Sequence, residues 1–270
     1  AQALAEARLR AADVLCAADL ASAMHRAYPD FKDALLPLVQ RQAAAPIPPG
    51  DGDGERAAHV ARRKGAVRLL GELLACGVAA DPGPLVAALK DAASADAATC
   101  KAHVGRLAKA VAAADQVMPN LPVVTAFAKH TAPALLQESG PAVPKGEAAG
   151  EGAGAAGIAA GTGLDEQGRK QLRMLLLGYH KLLSQVFAAQ YTLKVKAERR
   201  NRATLLSRGE LAADAAERHD ALAAACERLQ GALATVSDCV GVEAPPLPEV
   251  PEESEDKGRG PAPAAGGVQA

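Results

Sequence analysis

The chain has 270 residues, of which 49% are hydrophobic but only 2% aromatic, with no tryptophan; alanine and leucine with so few bulky side chains disfavour a β-sandwich and favour close-packed helices. A formal net charge of −1 and a pI near 6.7 argue against a chain that is basic throughout and binds nucleic acid or anionic membrane wholesale. The average conceals an asymmetry: residues 241–270 hold six acids against Lys257 and Arg259, a net −4, which leaves +3 for residues 1–240.

Residues 13–42 predict two helices, with Asp13 placed to cap the first and Pro29-Asp30 punctuating the entry to the second. Val14, Ala17, Ala18, Ala21 and Met24 form one apolar stripe, and Phe31, Leu35, Leu38 and Val39 form the next, both at the three-four spacing of a helix face. "APIPPGDGDG", 45–54, is a loop. The following stretch predicts a helix up to Gly77, with Val60, Val67, Leu70 and Leu74 on one face and a glycine stop before Asp81-Pro82. Residues 84–93 predict a short helix carrying Leu85, Val86 and Leu89, and 94–118 a weakly periodic helical stretch. In "PNLPVVTAFAKH" the prolines suit a helix start, with Val123, Val124 and Phe127 as its apolar face.

From 137 to 163 the character changes, because eight Gly and eight Ala among 27 positions offer little to offset the entropy of ordering the chain, so a flexible insert is expected. Two long helices follow. The first is expected from about Asp165 to Leu206, with Leu172, Leu175, Leu176, Tyr179, Leu182, Leu183, Val186 and Phe187 on its stripe. The second, from about Leu211, places Leu222, Cys226, Leu229, Leu233, Val236 and Val240 at steps of four and three, a seam for an antiparallel partner across a turn at Gly209. The proline- and glutamate-rich stretch from 241 to 270 is expected to be an acidic disordered tail. The organisation is therefore all-α: stacked antiparallel hairpins over 1–136, an insert over 137–163, one long hairpin over 164–240, and the tail.

Catalytic and metal chemistry find little support. The six histidines never reach metal-ligand spacing with one another or with a cysteine, and no H-E-x-x-H or G-x-S-x-G occurs. "GTG" at 161–163 follows no strand and lacks the spacing of a phosphate loop. Five cysteines, an odd number without a C-x-x-C pair, predict reduced core thiols in an intracellular protein. Nothing at the start reads as a signal peptide, and no apolar run is long enough to span a bilayer. The expectation is a non-enzyme with no cofactor, no metal, no small-molecule substrate and no membrane partner.

Basic segments remain. "RRKGAVR" supplies Arg62, Arg63, Lys64 and Arg68; "KVKAERRNR" supplies Lys194, Lys196, Arg199, Arg200 and Arg202; with Arg208, residues 194–208 hold six bases against Glu198. On general grounds such a run is a solvated helix face. RNA backbone contact is one alternative, since arginine forks fit phosphate oxygens without reading sequence, and an acidic protein partner is another. Base stacking is disfavoured, because Tyr191 is the sole aromatic nearby. Arg68 and Glu72, four apart, suit mutual support of their own helix.

Two stretches carry a family resemblance. "DVLCAADLASAMHRAYPDF", 13–31, through Asp13, Val14, Cys16, Ala17, Leu20, Ser22, His25, Tyr28, Asp30 and Phe31, resembles the first middle domain of the regulator-of-nonsense-transcripts-two family, the up-frameshift scaffolds of nonsense-mediated mRNA decay. "ERRNRATLLSRGELAAD", 198–214, matches through Glu198, Arg199, Asn201, Arg202, Leu206, Ser207, Gly209, Glu210, Leu211 and Asp214. "VRLLGELLACGV" and the "LPEVPEE" tail fit more loosely, and the similarity spans roughly 1–136 and 164–255. The resemblance implies a domain of the initiation-factor-4-gamma middle type, a stack of HEAT-like hairpins. It also implies a non-catalytic scaffold role, with other nonsense-mediated decay proteins as partners through a larger scaffold bridging an RNA helicase and an RNA-recognition-motif protein. The location implied is cytoplasmic, with perinuclear placement or shuttling to the nucleus. The Gly/Ala insert and residues 94–118 depart from the pattern, and the similarity does not reach the family's third middle domain or its acidic helicase-binding end, so helicase binding is not assigned. A scaffold of translation initiation or cap-associated export, or an oligomerisation module using the 222–240 seam, are the alternatives.

Overall fold

The computed structural model describes residues 1–7, 9–10, 12–47, 53–107, 117–137 and 164–250. Among these the regular elements are all α-helical: α1 (Gln2–Glu6), α2 (Asp13–Ala27), α3 (Phe31–Ala44), α4 (Asp53–Ala75), α5 (Gly83–Leu107), α6 (Leu121–His130), α7 (Ala132–Leu136), α8 (Glu166–Arg208) and α9 (Ala213–Val240).

The helices stack in two rows. In one, α3 packs on α5 and α5 on α8; in the other, α2 packs on α4, α4 on α6 and α6 on α9. Rungs between the rows join α3 to α4, α5 to α4 and α6, and α8 to α9. This is the antiparallel hairpin stack expected of a HEAT-like solenoid, in which each element buries its apolar stripe against its neighbours along the row and across it.

Helix α4 lies at the crossing of these contacts, and its sequence shows why. From Ala66 to Leu74 only Glu72 keeps appreciable exposure, so the helix is surrounded on all sides. Gly71 permits the closest approach: a β-carbon there would meet Cγ2 of Thr131 at 2.3 Å. Arg68 is buried with it, and Glu72 accepts a hydrogen bond from the Thr131 hydroxyl at 3.1 Å. Burial raises the pKa of Glu72 and lowers that of Arg68, while the attraction between the two opposes both shifts. The pair expected to brace its own helix thus also ties α4 to the end of α6.

Three local expectations differ from the structure. Asp13 does not cap α2; it lies in the first turn, after Ala12, and its carboxylate accepts the Arg10 N–H at 3.0 Å. Residues 83–107 form a single helix rather than a short one followed by a weak stretch. Its inward stripe, Leu85, Leu89, Ala92, Asp96 and Cys100, is made of small or polar side chains after the first two leucines, which blurs the apolar period without breaking the helix. Cys16 is exposed, because Val14, Ala17, Ala18 and Ala21 take the inner face of α2. Cys100 and Cys226 are buried and all five thiols are free; burial pushes those of Cys100 and Cys239 up to about 11.

The long hairpin matches its sequence pattern closely. Asp165 caps α8 by accepting the Gly168 N–H at 2.7 Å, and Gly209 closes it in the left-handed region at φ 74°. All six seam residues from Leu222 to Val240 are buried within the chain. A seam already filled by α8 and α6 is not available for oligomerisation, which removes that alternative.

Candidate functional site

The basic stretch 194–208 sits on a part of the molecule with its own geometry. At about 1.5 Å per residue, the 43 residues of α8 extend about 64 Å. Its buried residues end at Gln190, and those of α9 begin at Leu222. Residues 191–221 therefore form a two-helix tip with no fully buried side chain, joined to the stacked body where Tyr191 and Leu193 pack against the core.

Inside the tip, the helices are held by modest contacts. Asn201 Nδ2 donates to the Ala215 carbonyl at 3.3 Å, and His219 Nε2 lies 3.8 Å from Glu198 Oε1, an ion pair only when the imidazole is protonated. Lys194 Nζ stands 6.0 Å from the Tyr191 ring centre, and that ring packs against Phe187 at 6.0 Å. Asp214 and Arg218 pair one turn apart at the start of α9.

Helical geometry then sorts the cations. At about 100° per residue, Lys196, Arg199, Arg200 and Arg202 share an arc of roughly 160° turned away from α9, while Lys194 and Arg208 fall on the opposite side. Arg199, Arg200, Arg202 and Arg208 are exposed and Lys194 and Lys196 half-buried. Arg208 occupies the last turn, where a cation suits the negative end of the helix dipole. Arg199 has a defined partner: its Nη2 donates to the Val250 carbonyl at 2.8 Å.

The other basic stretch is divided by the structure. Arg62 is exposed and Lys64 half-buried, and both border a cavity of about 510 Å³ with Glu6 of α1, Arg10 of the α1–α2 connection, and Val39 and Gln42 of α3. Arg63 faces inward and is 4% exposed. Its Nε donates to the Ala43 carbonyl at 3.0 Å, Nη1 to Asn120 Oδ1 at 2.7 Å and Nη2 to the Ala88 carbonyl at 3.3 Å. Its guanidinium is thus committed to the interior, not to an outside partner. Arg62 and Lys64 on α4 and the arc on α8 do not form one continuous face.

Arg63 leads into a polar network that sequence reasoning missed. Asp96 Oδ1 accepts from Asn120 N at 2.9 Å and Nδ2 at 3.0 Å, and Oδ2 accepts the Tyr179 hydroxyl at 2.8 Å. Burial raises the Asp96 pKa, with the hydrogen bonds and the nearby Arg63 pulling it back, and desolvation first, then the Asp96 charge, keeps the Tyr179 phenol protonated. The available signal was an acid at a stripe position between Ala92 and Cys100, where a solvated residue has no place. Because every member is internally matched across α3, α4, α5, α6 and α8, the cluster is a fastening of the stack and not a reactive centre. Among the described residues, no group of three or more His, Cys, Asp or Glu could hold a metal ion, and no helix is long and apolar enough to cross a membrane. The Gly/Ala insert with its "GTG", apart from Gln137, lies outside the described residues.

Two rows of antiparallel hairpins ending in a long final pair define an α-helical-repeat fold. Among solved structures, the chain is similar to the crystal structure of the first MIF4G domain of human nonsense mediated decay factor UPF2, with a TM-score of 0.63 over 90% of this chain and 71% of that one, at 21% identity. Matching at that level of identity is a likeness of fold. No protein-family profile and no curated protein sequence matches the chain.

Proposed function

We propose that the chain is a non-catalytic scaffold domain of nonsense-mediated mRNA decay, and that the outward arc of its hairpin tip, Lys196, Arg199, Arg200 and Arg202, contacts the RNA backbone. The observation that carries this reading is the tip itself: a basic arc on a helix end free of core duties, on a fold like that of the first MIF4G domain of UPF2. The sequence stretches 13–31 and 198–214 support the same family, and the second of them is the tip. Arginine forks on a regular helix face can follow phosphates without reading bases, which suits the absence of exposed stacking aromatics on that arc. Packing of α5 on α8 and α6 on α9 supports treating 1–136 and 164–240 as halves of one domain interrupted by the 137–163 insert. Other decay proteins would bind through the larger scaffold, in the cytoplasm, and Arg62 and Lys64 offer a secondary basic site at the opposite part of the stack.

The test is binding of a single-stranded RNA 20-mer, followed by fluorescence anisotropy across a salt series. The intact chain is expected to bind with an affinity that falls as salt rises. The combined Arg199→Glu, Arg200→Glu, Arg202→Glu variant should relax the log–log salt slope by about two units, since each phosphate contact on a single strand contributes about 0.7. An unchanged affinity and slope would remove RNA contact from this helix end; retention of an acidic protein by the parent and not by the variant would assign the arc to a protein instead.

A further inference from the structure

The cavity beside Arg62 and Lys64 follows from what α4 presents to the first helices. Ala58, Ala61, Arg62, Gly65, Ala66 and Leu69 line it and recur at three-four spacing, so a single face of α4 forms one wall. Four of those six residues have no side chain beyond a β-carbon, too short to fill the space to Ala5 of α1, Leu9 of the α1–α2 connection and Val39 of α3. Close-packed interiors leave few voids larger than a water molecule. The 510 Å³ left open here falls instead within the roughly 300–1,000 Å³ of ligand clefts. Ala5, Val39, Ala66 and Leu69 are buried and give the cleft an apolar floor, whereas Ala7, Arg10, Ala61 and Arg62 are exposed and mark an open mouth.

Charge around the cleft is one-sided. Arg10, Arg62 and Lys64 line it with a single acid, Glu6, whose Oε1 is already engaged by Gln2 Nε2 at 2.9 Å. Among the described residues, none of the three cationic side chains has a hydrogen-bond or ion-pair partner; Arg10 is held only through its backbone N–H. Arg63, one position away, is the contrast, with its guanidinium matched three times inside the stack. Unmatched cations over an apolar floor define what fits: a ligand carrying both carboxylates and bulky apolar groups.

That pairing separates the candidate occupants. A nucleic-acid backbone would meet the cations but carries no apolar group for the floor, and no aromatic side chain among the lining residues offers a stacking surface for its bases. An alkyl chain would leave much of its length in water at so open a mouth. A peptide with a bulky apolar side chain beside Asp or Glu meets both demands: the anchor supplies the volume that alanine and glycine leave empty on α4, and the carboxylates reach the cations at the rim. We infer that this cleft docks an acidic segment of a partner protein, one or two Leu- or Phe-sized side chains resting on Ala5, Val39 and Leu69 and carboxylates held by Arg10, Arg62 and Lys64. The wall opposite α4 suits such a guest, because α1 is five residues long with Ala5 as its buried member and can adjust around an anchor. The site lies on the other basic stretch and stands whether or not the tip binds RNA.

The test is a phage-displayed library of random peptides of about 12 residues, selected on the intact chain and counter-selected on its Arg10→Glu, Arg62→Glu, Lys64→Glu variant. Binders are expected to set Leu, Ile, Met or Phe beside Asp or Glu. The consensus peptide, synthesised with a fluorescein label, is then titrated by anisotropy, and the charge-reversed variant should bind it at least about ten-fold more weakly. Ala61→Trp, at an exposed lining position where added bulk enters the cleft without disturbing the core, should weaken binding about as much with every cation intact. The Arg199→Glu, Arg200→Glu, Arg202→Glu variant should bind the peptide as the parent does. A selection with no enrichment of acidic-apolar sequences would overturn the inference, as would a peptide bound equally by the parent, the charge-reversed variant and Ala61→Trp. Displacement of the peptide by oleate or by the RNA 20-mer, with either competitor bound more tightly than the peptide and weakened by Ala61→Trp, would give the cleft to a fatty acid or to RNA instead.

Discussion

Asp96 has no exposed surface, yet it accepts three hydrogen bonds and lies beside the buried Arg63 guanidinium. Burying one charge without another is expensive, and the cost falls on whichever partner is left behind. Asp96→Ala is therefore expected to lower unfolding free energy by about 3 kcal/mol, because it strands the Arg63 charge and leaves donors of Asn120 and Tyr179 unmatched. Tyr179→Phe removes a single bond and should cost only about 1 kcal/mol. Urea titration checks both: losses of similar size would mean that the Arg63–Asp96 attraction contributes little. At this scale the sequence was legible where a residue type has one destination, as with Leu35 or Leu172, which are fully buried. It was not legible for Arg63, which is flanked by Arg62 and Lys64. Nothing in "RRK" tells which cation turns inward; that depends on Ala43, Ala88 and Asn120 offering acceptors from three other elements.

At the scale of elements, glycines separate local from tertiary requirements. Gly209 holds φ 74° at the end of α8, a conformation costly for any residue with a β-carbon, whereas a β-carbon at Gly231, inside α9, would meet nothing within 4 Å. Gly209→Ala should lower stability by about 1 kcal/mol, while Gly231→Ala should raise it by up to about 1 kcal/mol through helix propensity. Thermal melts of the two variants shifting in the same direction would contradict the turn argument. The hairpin was readable because its signals agree: a leucine-rich seam of fixed period and a stop glycine. Helix α5 was only half readable, since alanine packs as well as leucine in a tight stack but writes a fainter period, and Asp96 interrupts it. Cys16 shows the same limit, because an apolar neighbourhood in sequence includes residues on both sides of a helix.

For the whole molecule, the body and the tip differ in what holds them. Around α4, leucines and alanines are enclosed on every side, whereas the tip relies on a few partly buried polar contacts between two helices. Backbone amides of 195–220 should accordingly exchange with deuterium orders of magnitude faster than those of 66–74, following the gradient from local opening to global unfolding. Uniform protection along α8 in hydrogen-exchange mass spectrometry would contradict this division. All-α stacking was legible from composition and period, but the order of the two rows was not, because alanine ridges fit many neighbours and specify none. Eighteen residues of α8 lie past Gln190, about 27 Å of rod held only by partly buried contacts. Such a rod is a lever: a swing of only 10° about its fulcrum carries its far end about 5 Å. Small rearrangements in the last rung, where His180 meets Ser237 at 2.9 Å, would be magnified at the far end, so the grip of this domain on whatever it touches is set by packing more than 40 Å away.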